Sequence, residues 1–186
     1  TADCVTNSAA AGPNANGSCD GNGDGLIDAG AAVSASNEMF QFWRQMALAG
    51  LIEGSYSGLA GPVTPNTSWD HVIGTNCPRS KLRNAGWSTR QLINYAGDGY
   101  YYALDYGNML IIGGQSPGNV TLATVFKPEE AWNIDTKLDD GKPASGKVVS
   151  NWVGGCTTSG SQTVLTGDYL LTTTTNACAL HFRSAY

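Results

Sequence analysis

Residues 37–56 read NEMFQFWRQMALAGLIEGSY, a run with the periodicity of one amphipathic helix. Met39, Phe42, Trp43, Met46 and Ala47 recur at helical spacing, with Phe40 on the flank. Ser34 or Ser36 can cap this helix, Glu38 suits its positive N-terminal end, and Gly50 stops it. The stripe reads as a core-facing surface rather than a groove for a cofactor or partner.

Just upstream, residues 20–28 read DGNGDGLID. Acceptor side chains at alternate positions point Asp20, Asn22 and Asp24 into one small space, and Gly25 permits the sharp turn that follows. Leu26 can offer its carbonyl and Asp28 a carboxylate, directly or through water. This is the first part of an EF-hand-type calcium loop. Without a cation the clustered carboxylates would repel one another. Position twelve, where a bidentate Glu belongs, is Ala31, so the cage needs a ligand from elsewhere. Glu38, at the start of the next helix, is the nearest candidate. Its other reading is a plain helix-dipole residue. Calcium is therefore the expected cofactor, at Asp20, Asn22, Asp24, Leu26, Asp28 and, on the first reading, Glu38.

Composition narrows the class. The 186 residues suit a single domain, 1–186, with 1–33 as the calcium-loop segment. Charged residues are 13% of the chain, about half the usual share, and Gly, Thr, Ser and Asn are plentiful. That is the make-up of a loop-rich extracellular β or α+β protein. A net charge of −5 with scattered basic residues argues against duplex nucleic acid as a partner. There is no signal peptide, and no run is long and apolar enough to span a membrane; if the chain is secreted, its export segment has been cut away or is not part of this sequence.

The cysteines stand at 4, 19, 77, 156 and 178, without a CxxC pair. Disulfides in an oxidising compartment are the better reading than zinc. Cys4–Cys19 would brace the entry to the calcium loop and Cys156–Cys178 would close a Thr/Ser-rich loop. Cys77 is then left as a partly buried thiol. Other pairings remain open on sequence alone.

Residues 53–98 show little periodicity and are expected to hold short strands whose positions the pattern does not give. Residues 99–106 and 108–112 read as a hairpin around Gly107-Asn108. Pro128 opens a second helix, with Glu129 and Glu130 in its first turn and Ala131, Trp132, Ile134 and Leu138 as its buried side. It ends at Asp139-Asp140-Gly141. Residues 146–153 and 177–182 read as further strands. Asp135, Asp139 and Asp140 gather near that helix end, where Lys137 and Lys142 are the simpler compensation and a second cation the alternative. No GxSxG, HExxH, P-loop or GxGxxG pattern occurs, and His71, beside Trp69, reads as structural. No catalytic residue is assigned.

Three segments carry a resemblance: residues 37–56; residues 78–87, PRSKLRNAGW; and residues 127–143, KPEEAWNIDTKLDDGKP. With the Asp/Asn/Gly loop before them, they resemble the globular head of type IV pilin-like proteins made with a prepilin-type cleavage signal. The likeness covers most of the chain. It implies an antiparallel sheet packed on a long N-terminal helix that is missing here, in cis or as a separate chain. It implies a disulfide-closed C-terminal loop, a position that Cys156–Cys178 matches. It implies a bacterial cell-surface filament, pilus or secretion pseudopilus, whose partners are other pilin subunits, with membrane contact only through the missing helix. The alternatives are a secreted calcium-stabilised carbohydrate-binding or adhesion module, suggested by eight Tyr and five Trp, and a secreted hydrolase.

Overall fold

The computed structural model describes residues 24–27, 38–61, 69–82 and 84–184. Among them are two helices, α1 (Glu38–Leu48) and α2 (Pro128–Leu138), and four strands, β1 (Ala85–Leu92), β2 (Gly107–Gly114), β3 (Val148–Ser150) and β4 (Leu180–Arg183). β2, β4 and β3 form an antiparallel sheet with β4 in the middle. The class is α+β with an antiparallel sheet, as the sequence predicts. The chain groups into two compact units, Thr1–Gln91 with Gln115–Thr121, and Leu92–Gly114 with Leu122–Tyr186.

In the first unit α1 buries Met39, Phe40, Gln41 and Trp43. Phe42, Met46 and Ala47 are only partly buried, so the inward face is turned toward Phe40 relative to the predicted stripe. The reason is the segment that wraps it. The Phe40 ring lies on His71, with centroids 4.6 Å apart, and Gln41 Nε2 donates to the Gly58 carbonyl at 2.6 Å. The helix ends as predicted at Gly50, whose φ is +70°. Leu51 N–H reaches Met46 O at 2.9 Å and Gly50 N–H reaches Ala47 O at 3.0 Å, the paired bonds of a Schellman cap.

A polar knot organises the loops of this unit. Asn76 is fully buried. It accepts from Val72 N–H at 2.7 Å and donates to the carbonyls of Leu59 and Asp70, each at 2.9 Å. Asp70 in turn accepts from Gly118 N–H at 2.8 Å. On β1, Ser88 and Thr89 are buried: Ser88 Oγ pairs with Thr121 Oγ1 at 2.8 Å, and Thr89 donates to Met39 O at 3.1 Å. Each buried polar atom so satisfied avoids a cost of about 1–3 kcal/mol. Cys77 is a free thiol and fully rather than partly buried; burial pushes its pKa up to about 12, which leaves it an unreactive thiol at neutral pH.

The second unit carries the sheet pairs β2–β4 and β3–β4, both antiparallel, with Ile111 opposite His181 and Val149 opposite the same residue on the other side. The hairpin expected around Gly107-Asn108 does not form. Gly107 opens β2 instead, and residues 99–106 are irregular. Asp98 Oδ1 accepts from the N–H groups of both Tyr100 and Tyr101 at 2.7 Å, which closes a turn and prevents extension. Tyr101, Tyr102 and Tyr106 are then all buried, a pattern that strict alternation along a strand does not allow.

α2 starts at Pro128, with the Glu130 carboxylate accepting from Lys127 N–H at 2.9 Å. Its buried side is Pro128, Ala131 and Asp135, so that of the predicted apolar set only Ala131 is fully buried. Trp132 and Leu138 are 38% and 61% exposed. The helix is rotated because Asp135 has a partner inside: Tyr169 donates its hydroxyl to Asp135 at 2.9 Å. The strands read at 146–153 and 177–182 are shorter than predicted, confined to β3 and β4.

The bridge Cys156–Cys178 is formed, with Cα atoms 5.0 Å apart and a sequence separation of 22. Both sulfurs' residues are fully buried. Cys178 is also tied by its backbone, exchanging hydrogen bonds with Phe126 at 2.9 and 3.0 Å. Cys4 and Cys19 lie outside the described residues.

Candidate metal centres

Of the calcium-loop residues, Asp24 and Leu26 are described; Asp20, Asn22 and Asp28 lie outside the described residues, as does Ala31. Leu26 N–H donates to Asp24 Oδ1 at 2.8 Å, and Gly25 between them has φ +81°. A side chain at position 25 would be strained by that left-handed backbone. The local geometry is thus an Asx turn that folds the third acceptor of the loop back over its glycine. Glu38 stands in the first turn of α1, where its charge also suits the helix dipole.

The second acidic group is Asp135, Asp139 and Asp140, whose carboxylates offer oxygens all within 4.8 Å of one another. Each already accepts two protein donors. Asp135 takes the Tyr169 hydroxyl and, at 3.1 Å, Gly141 N–H. Asp139 takes the N–H groups of Lys147 and, at 3.1 Å, Val148. Asp140 takes Lys142 N–H at 2.8 Å and the Ser145 hydroxyl at 2.6 Å. Backbone and hydroxyl donors therefore do much of the work the sequence assigned to lysine side chains. The Lys142 ammonium turns elsewhere, to Asp168 at 2.6 Å. The trio ties the end of α2 to the turn that leads into β3, and its oxygens are close enough to hold a cation.

Asp135 has a pKa raised to about 6, first by burial and then by the negative charges of Asp140 and Asp139, against the lowering effect of its Tyr169 and Gly141 donors. A carboxyl raised in the folded state favours folding least when ionised. Its penalty is absent below the unfolded value near 4 and is fully present above pH 6. Asp135→Asn keeps both contacts, its carbonyl facing Gly141 N–H and its amide donating to Tyr169. In metal-free buffer it should gain about 1–2 kcal/mol at pH 7, discounted for solvent access, and match the wild type at pH 4. Urea denaturation at the two pH values measures this; a less stable variant at pH 7 contradicts it.

Sequence reasoning found the turn at Asp24-Gly25-Leu26 and the crowding of the three aspartates. It missed the inward direction of Asp135, its partner Tyr169, and the buried Asn76 knot. An Asn or Asp in a loop carries the same local signal whether it is solvated or buried, so nothing in the pattern marks them. No family model, curated protein or solved structure matches this chain.

Proposed function

We propose that this chain is the globular head of a type IV pilin-like subunit, stabilised by calcium, and that it works by assembling into an extracellular filament. The single observation that carries the reading is the closed segment 156–178. Its bridge is formed where the resemblance puts it, and its C-terminal cysteine lies two residues before β4, between β2 and β3 in the sheet. The α+β class, the Schellman-capped helix over the first matching segment and the Asx turn of the Asp/Asn/Gly loop support the same reading. Burial of Tyr101, Tyr102, Tyr106 and Tyr169 places much of the aromatic content in the core, away from any sugar-stacking surface.

The Met39–Ala47 stripe turns Met39, Phe40 and Trp43 into the head itself, and its exposed apolar side chains lie at the C-terminal end of α1, where Leu48 and Leu51 are 58% and 68% exposed; this end is the subunit contact we propose. Leu48→Glu with Leu51→Glu should leave the head's stability within about 0.5 kcal/mol. In a subunit supplied with its helix and leader, the same pair should sharply reduce filament number. Unchanged filaments would show that this face is not a subunit contact.

A further inference from the structure

His71 is fully buried in the first unit. Its Nδ1 lies 2.9 Å from the Trp69 carbonyl. A carbonyl only accepts, so the neutral ring carries its proton on Nδ1 and Nε2 is the basic atom. Nε2 is buried with no hydrogen-bond partner. The backbone of this residue is held on both sides: His71 N–H donates to Asn119 O at 3.0 Å, and its own carbonyl accepts from Gln115 Nε2. Phe40 of α1 covers the ring face.

We propose that His71 is an acid-sensitive latch for α1, holding the helix while its imidazole is neutral and releasing it on protonation. A second proton has to go on Nε2, which puts an N–H donor and a positive charge in a buried place that offers it no acceptor. The ring can shed that cost by leaving Phe40 for water, and the helix then loses one wall of its seat.

The groups around the ring do not cancel this cost. Burial holds the His71 pKa down to about 4, outweighing the Trp69 carbonyl and then Asp70, which both favour the charged form. From α1 the facing group is the uncharged Phe40. Residues 115–121 present amide groups. Cys77, in the same loop, is a neutral thiol. Arg90 of β1 sits over the Trp69 ring at 4.7 Å, adding positive charge on that side. This latch does not rest on the filament reading.

Amide hydrogen exchange of α1, corrected for intrinsic rates, tests it on the whole chain. With an open-state value near 6.5, α1 protection should fall roughly 20-fold between pH 7 and pH 5. His71→Phe keeps an aromatic face against Phe40 and cannot be protonated, so its loss over the same range should be less than about 3-fold. Equal losses in both proteins, or none in the wild type, would overturn the proposal. Should His71→Phe fail to fold, imidazole nitrogen shifts of the wild type decide. The proposal requires a neutral Nδ1–H ring down to pH 5 in the protected state. A ring that titrates near pH 6.5 while α1 stays protected refutes it.

Discussion

Removing calcium should lower the melting temperature of this protein by roughly 5–10 °C. A cation that binds only the folded chain stabilises it by about 2.7 kcal/mol at one hundred times its dissociation constant. For a chain of this size each kcal/mol is worth about 2–4 °C. The motivation is the 20–28 pattern, with Asp24 folded over a left-handed Gly25. Scanning calorimetry with and without chelator measures the shift, and Asp24→Ala should abolish most of it. Magnesium should substitute poorly, since a partly irregular oxygen cage suits the larger ion. A melting curve indifferent to chelator, or a full response in Asp24→Ala, would remove calcium from the account.

The second large effect belongs to the Cys156–Cys178 bridge. Closing a segment of 22 residues' separation restricts the unfolded chain by about 3 kcal/mol on the loop-entropy scale. Cys156→Ala with Cys178→Ala should lose about that amount in urea denaturation, together with a smaller cost for the missing sulfurs in a buried site. Because both residues are fully buried, mild reductant should leave the native bridge intact and open it only as denaturant is added. A double variant within about 0.5 kcal/mol of the parent would contradict the role assigned to this bridge.

How much of this was legible in the sequence varied with the physics of each element. α1 and α2 were found because apolar residues at helical spacing and a Gly or Pro at the right end are local signals. Their inward faces were misjudged where a tertiary partner outweighed hydropathy. His71 drew Phe40 inward, and Tyr169 drew Asp135 inward at the expense of Trp132 and Leu138. β1 escaped notice because its buried residues include Ser88 and Thr89, whose hydroxyls are satisfied by Thr121 and by the Met39 carbonyl, so that the segment resembles a loop on paper. The tyrosines at 100–102 and 106 carry strand propensity, yet Asp98 turns the chain and the rings pack from an irregular segment. Of the candidate site, the Asp24 turn follows from residue spacing. The donors that surround the three aspartates come from residues 2 to 34 positions away, and no local pattern announces the distant ones.

The central claim is that the chain polymerises, and immunogold electron microscopy tests it most directly. The head is joined behind a prepilin leader and an apolar helix, in cells that carry pilus machinery, and labelled with antibody against residues 156–178. Gold is expected along the outside of filaments, and none on cells that lack the assembly machinery. Label found only on soluble secreted protein, with no decorated filament, would contradict it.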